Sequence, residues 1–139
     1  MTRSASARVT LYVCTTCRRN GEPLEPRDHR SGVRLKRALA AEIARRVDAI
    51  AIDLVPVECL SGCKRGCTIA VSAPGKWTFV VGDLDPACHV GDVIAFAAQH
   101  AAHSEGLPLW RERPEVVRKG VLARVPSLVT NSKEPADER

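Results

Sequence analysis

Six cysteines carry the most specific chemistry in this chain of 139 residues, and five of them fall into two tight groups. Cys14-Thr15-Thr16-Cys17 forms the first, and Cys59-Leu60-Ser61-Gly62-Cys63-Lys64-Arg65-Gly66-Cys67 the second, while Cys88 stands alone. Disulfides brace distant parts of a fold and persist in oxidising compartments, whereas tight clusters of thiols suit metal ligation. Two ligands from each loop, Cys14 with Cys17 and Cys59 with Cys63, would complete a tetrathiolate site.

Four thiolates can hold zinc or an iron–sulfur cluster. The CxxC spacing of Cys14 and Cys17 is a frequent grip on structural zinc. The wider Cys59–Cys63 spacing departs from a paired zinc knuckle and is tolerated by a larger cluster. Gly62 and Gly66 would let backbone N–H groups approach the sulfurs. Arg18, Arg19, Lys64 and Arg65 would offset the net charge of about −2 on an oxidised 2Fe-2S tetrathiolate. Both metals stay open at this point. A third reading of the CxxC pair is thiol–disulfide exchange, but a long charged loop, rather than a helix that would depress a thiol's pKa, follows Cys17.

The remaining reactive side chains have simpler readings. Cys88 and His89 lack partners at metal-ligand spacing. His100 and His103 share a late helix without an HExxH arrangement, and His29 is a solvated loop histidine. Trp77 and Trp110 read as packing residues, and Arg111 to Lys119 as a solvated face able to recruit an acidic partner. No Ser/His/Asp set, phosphate-cradling loop or paired carboxylates emerge, so no freestanding enzyme is expected.

The elements that position the cysteines follow from periodicity. Residues Arg8 to Val13 alternate as a strand ending at Cys14. Arg18 to Arg30 is a loop, and Ser31 is the expected N-cap of a helix to about Val47 with Leu35, Leu39, Ile43 and Val47 as its buried stripe. Ile50 to Val57 is a second strand, whose pairing is expected to stop at Pro56. Thr68 to Ala73 and Lys76 to Val81 form a hairpin about Pro74-Gly75. A helix capped by Asp85 or Asp92 then runs to about Ala102 on Val93, Ile94, Ala97, Ala98 and Ala101. Leu109 to Val125 is a mixed extension with one helical turn opened by Pro114.

This order, β-α-β-β-β-α with a mixed sheet and a C-terminal extension, is an α/β arrangement of the thioredoxin-like kind. The helix crossover makes the first two strands parallel. Both cysteine groups then leave the sheet at one carboxyl edge, where open α/β sheets bind ligands. The expected organisation is a disordered N-terminus (1–8), the thioredoxin-like domain (9–108), the extension (109–125) and a disordered tail (126–139).

Hydrophobic residues make up 45% and charged residues 27% of the chain, as in an ordinary globular domain. Aromatic residues are only 4% despite a net charge of +5, and no basic run is interleaved with them. That pattern favours acidic protein partners over nucleic acid. No run of about 18 apolar residues occurs, and no signal-peptide core precedes the first strand, so no membrane association and a cytoplasmic location are expected.

The CLSGC segment at Cys59–Cys63 resembles the CLGxC segment of thioredoxin-like 2Fe-2S ferredoxins and of the small cluster-bearing subunit of respiratory NADH dehydrogenase. Cys59 and Cys63 match that pair, and Cys14 matches the ligand ending the first strand. More narrowly, VCTTCRR, ECLSGCKRGCTIA, SAPGKWTFVVGDLDP and WRERPEVVRKGVLARVP resemble a bacterial family called predicted metal-binding proteins. Its members are often associated with cobalamin biosynthesis genes. The resemblance implies a 2Fe-2S electron carrier between a reductase and an acceptor enzyme, in support of corrin chemistry, and the ferredoxins' pairing implies a homodimer. The alternative is a zinc-stabilised adaptor or metal-trafficking protein. Two departures qualify the ligand set: many such ferredoxins space the first pair more widely than Cys14 and Cys17, and commonly carry proline where Cys67 stands. Cys67 is therefore the alternative to Cys17 as fourth ligand.

Overall fold

The structure is a computed structural model that describes residues 7–46 and 50–127. Its first strand, β1 (Arg8–Cys14), buries Val9, Leu11 and Val13 completely and leaves Thr10 and Tyr12 half-buried, the period-two signature of a sheet with one packed face. Helix α1 (Ser31–Arg45) returns the chain, with Leu35 and Leu39 fully buried and Ile43 packed against the core. Val47, expected to extend this stripe, lies outside the described residues. Ser31 is the first helical residue rather than the cap, which is Arg30. The Ser31 hydroxyl donates instead to the Glu22 carboxylate, because a charged acceptor outcompetes the helix's own backbone.

Strand β2 (Ala51–Val57) runs parallel to β1, from Arg8 opposite Ala51 to Cys14 opposite Val57. Pairing thus continues one residue past Pro56, contrary to expectation. The strand lies at the sheet edge, where one side of the backbone needs no partner and proline is tolerated. Strands β3 (Ile69–Ser72) and β4 (Thr78–Val81) form the expected hairpin. Its turn is closed by the Lys76 amide on the Ala73 carbonyl at 3.1 Å, with Gly75 at φ +74° as a left-handed turn residue. Because β3 pairs antiparallel with β1, the hairpin extends the sheet from the side opposite β2.

Helix α2 (Val90–Ala102) buries Val93, Ile94, Phe96, Ala97 and Ala101. Neither Asp85 nor Asp92 caps it. Asp85 accepts from the Ala87 amide in the preceding turn, Asp92 lies in the first helical turn, and His89 is the cap residue. Both long helices pack on β1 and on each other, so they cover one face of the sheet. Phe96 meets Phe79 of β4 edge-to-face at 5.3 Å between ring centres. His100 is a fully buried core histidine that bonds through Nε2 to the Trp77 carbonyl at 2.6 Å, while its Nδ1 has no partner among the described residues.

The extension does more than trail from the domain. Helix α3 (Glu115–Gly120) follows Pro114, and β5 (Val121–Val125) pairs antiparallel with β4, making a five-stranded sheet of order β2-β1-β3-β4-β5. Trp110, expected to pack, is 63% exposed just before this unit. No helix among the described residues is long and apolar enough to cross a membrane.

Candidate metal centre

The parallel register of β1 and β2 delivers both cysteine loops to the same sheet edge. At that edge the loops are tied together by backbone and side-chain bonds. The Thr15 amide donates to the Val57 carbonyl at 2.9 Å and the Thr15 hydroxyl to the same oxygen at 3.1 Å. The Thr16 hydroxyl donates to the Glu58 carbonyl, and the Asn20 side-chain amide to the Lys64 carbonyl at 2.7 Å. Gly66 packs so closely on the Arg18 carbonyl that a Cβ would collide with it. Gly32, at the start of α1, likewise packs on the Cys14 carbonyl and donates its amide to the Cys17 carbonyl at 3.0 Å.

Cys14 and Cys17 are buried in this junction, their sulfurs 2.9 Å apart as free thiols. The Cys17 thiol donates to Cys14, which favours the Cys14 thiolate and pulls its pKa down to about 5 against the opposing effect of burial. Backbone groups of Leu60 and Thr16 also lower it. The same bond holds the proton on Cys17, whose pKa is raised, with burial reinforcing it. Thr68 Oγ1 sits 3.3 Å from the Cys17 sulfur, and the Cys14 amide donates to the Thr68 carbonyl at 3.1 Å.

Cys59 and Cys63 lie exposed on the adjoining loop. The Cys14 sulfur is 3.5 Å from the carbonyl of Glu58, the residue before Cys59. The Cys59 sulfur accepts from the Ser61 amide at 3.2 Å, with Ser61 at φ +61°. The structure thus brings Cys14 and Cys17 together and sets the Cys59–Cys63 loop beside them. Among the described residues, no group of three or more His, Cys, Asp or Glu side chains is arranged to hold a metal ion. Cys67 is fully buried, and desolvation pushes its thiol up to about 12. Cys88 is exposed in the turn before α2, His89 accepts from the Asp85 amide, and His29 is exposed in the first loop.

The cations expected around the cysteines are largely committed elsewhere. Arg19 pairs with Asp85 at 3.1 Å and Arg65 with Asp83 at 2.5 Å, while Arg18 donates to the Glu22 carbonyl at 3.1 Å. Thr16, Asn20 and Thr68, which join the loops or contact the sulfurs, were not singled out by spacing. The Thr-Thr pair inside CTTC was the available signal, since short hydroxyl side chains bond readily to nearby backbone. The donor set fits a thiophilic group: four thiols in adjoining loops, with Cys14 favoured as thiolate.

This mixed α/β architecture is similar to the thioredoxin-like ferredoxin fold. The chain is similar to the thioredoxin-like [2Fe-2S] ferredoxin from Aquifex aeolicus, with a TM-score of 0.52 and 19% identity over 86% of this chain and 94% of that one. It is also similar to a cysteine-to-serine variant of that ferredoxin, with a TM-score of 0.51 and 16% identity over 83% of this chain and 98% of that one. The chain itself belongs to the family described as protein of unknown function (DUF1636), whose model matches residues 11–127. No curated protein matches it.

Proposed function

We propose that this protein is a ferredoxin-like carrier whose Cys14, Cys17, Cys59 and Cys63 hold a [2Fe-2S] cluster and which passes single electrons between a reductase and an acceptor enzyme. One observation carries this reading: the parallel register of β1 and β2 sets buried Cys14 against the second cysteine loop, its sulfur 3.5 Å from the carbonyl of Glu58, the residue before Cys59. The likeness of fold to a [2Fe-2S] ferredoxin supports it. Bound there, the cluster would supply a one-electron redox couple. The Cys17 thiol, donating to Cys14, favours the thiolate form that ligation requires. Burial of Cys14 and Cys17 keeps water from those two sulfurs. Cys17 is preferred over Cys67 because its sulfur lies 2.9 Å from that of Cys14. The resemblance to a family found beside cobalamin biosynthesis genes favours an acceptor in corrin or cobalt chemistry.

The test is a reductive titration of the anaerobically purified protein, followed by electron paramagnetic resonance. Uptake of about one electron per chain with a rhombic signal from reduced protein supports the carrier. A protein that takes up no electron and carries stoichiometric zinc is instead a metal-stabilised adaptor or metal-trafficking protein.

A second reading draws on the 2.9 Å approach of Cys17 to Cys14 and the depressed Cys14 pKa, both of which suit thiol–disulfide exchange. The burial of both sulfurs opposes it, because a substrate disulfide must reach the attacking thiolate. Insulin reduction by metal-free protein would establish that activity.

A further inference from the structure

Between α3 and β5 lies a cleft of about 530 Å³ whose lining includes Phe79, Trp110, Arg113, Arg118, Leu122 and Arg124. Each guanidinium rests on an aromatic face: Arg113 is 5.0 Å from the Phe79 ring centre, Arg118 5.3 Å from Trp110 and Arg124 4.9 Å from Trp77. Backbone carbonyls fix two of them further, Pro108 accepting from Arg113 at 3.0 Å and Arg113 accepting from Arg118. Other arginines sit on carboxylates, as Arg8 does on Asp53, Arg19 on Asp85 and Arg65 on Asp83. The three cleft arginines have no such ion pair among the described residues. Glu115 feels the charge of Arg118 but is paired with Lys119 at 2.7 Å. Burial, reinforced by the like charge of Arg124, lowers the pKa of Arg113, so these cations repel one another.

Stacked, preorganised guanidinium groups lose little freedom when they bind carboxylates in bidentate fashion. Tryptophan and arginine are also the side chains most enriched at the energetic centres of protein interfaces. Trp110 and Leu109 stand 63% and 49% exposed beside the cleft. The cleft also adjoins the cysteine loops, since the Leu122 side chain lies 3.3 Å from the position a Cβ on Gly62 would occupy. A partner seated here would therefore contact the side of the molecule that bears Cys59 and Cys63.

We propose that this cleft docks an acidic surface of the redox partner, with carboxylates on Arg113, Arg118 and Arg124 and an apolar side chain against Trp110. The proposal rests on the electron-carrier reading and adds to it where the partner binds and what chemistry recognises it.

The experiment uses the full chain and poly-L-glutamate as the acidic probe, followed by tryptophan fluorescence. Three proteins are compared: wild type, the cleft variant R113Q/R118Q/R124Q, and the control K36Q/R37Q/R45Q, which removes the same charge from α1. Affinity is expected to fall about tenfold or more in the cleft variant and no more than about threefold in the control. Equal losses would mean that net charge alone attracts the probe, and would overturn the proposal. Arg124→Gln alone, which removes no hydrogen bond, guards against misfolding and is expected to weaken binding about threefold. No effect from that variant in folded protein also contradicts the site. Inorganic pyrophosphate binding as tightly as the polymer, and lost with the cleft, would assign a small anion instead. A wild-type dimer dissociated by the cleft variant would assign a second copy of the chain. The visible spectrum of each sample distinguishes loss of the carrier role from loss of the docking site. Cleft-dependent binding by a colourless, iron-free protein overturns the carrier reading, whereas a coloured protein whose binding ignores these arginines overturns the docking site.

Discussion

The thiol of Cys17 donates to the sulfur of Cys14 across 2.9 Å, and the pair sits where β1 ends beside the carboxyl end of β2. This contact splits the ionisation of two chemically identical side chains, lowering Cys14 to about 5 and raising Cys17. The contact thus favours the thiolate on Cys14 and the proton on Cys17. A thiophilic metal bound here would displace that proton.

The exposed loop cysteines give the sharpest ligand test. Cys59→Ser and Cys63→Ser are each expected to abolish retention of the cluster, with loss of the visible absorption on purification. Cys88→Ser, in the turn before α2, is expected to leave the spectrum unchanged.

The choice of fourth ligand separates two buried residues. Cys17→Ser is expected to lose the cluster. Cys67→Ser should keep the spectrum while losing about 1–3 kcal/mol of stability, because it buries a hydroxyl in an apolar site. The opposite pair of spectra would make Cys67 the ligand.

Close packing of the loops predicts that two glycines cannot be enlarged. Gly66→Ala would drive a methyl group into the Arg18 carbonyl, and Gly32→Ala into the Cys14 carbonyl. Each backbone acceptor must move to make room, so each variant is expected to lose about 1–3 kcal/mol by denaturant titration. Gly75→Ala, in the β3–β4 turn, meets no neighbouring atom and serves as a comparison that suffers from its φ of +74° alone.

His100 predicts a pH dependence of stability. Burial is the main influence on it, and holds its pKa below the ordinary histidine value despite the bond to Trp77. Its Nδ1 is buried without a partner, and Lys76 and His103 add like charge around the ring. The unfolded chain therefore binds the proton more readily than the folded one. The histidine's contribution is fully present above the unfolded value of about 6.5 and is lost as pH falls through the lower folded value. Urea unfolding at several pH values is expected to show stability dropping below about pH 6.5, with a shallower drop in His100→Gln.

Much of this arrangement was legible in the sequence because it rests on periodicity. Val9, Leu11 and Val13 alternate, Leu35 and Leu39 recur every helical turn, and Pro74-Gly75 marks a hairpin. These local signals fixed the strand order and hence the meeting of Cys14 with the Cys59 loop. Features set by tertiary context were harder to see. Ser31 has the chemistry of a cap, but Glu22 captures its hydroxyl. β5 is a short, mostly exposed run after α3, and its pairing with β4 has no local signature. The cations beside the cysteines could be counted, but the carboxylates that claim Arg19 and Arg65 come from the distant Asp83–Asp85 turn. Spacing alone could not rank Cys17 against Cys67. The contact of Cys17 with Cys14 supplies a physical basis for that choice.

The central claim is that these cysteines hold iron and sulfide. It is tested most directly by the visible spectrum of the anaerobically purified full chain, with iron, acid-labile sulfide and zinc measured on the same sample. The account predicts a brown protein with about two irons and two sulfides per chain and little zinc. A colourless protein with stoichiometric zinc and no labile sulfide would contradict it.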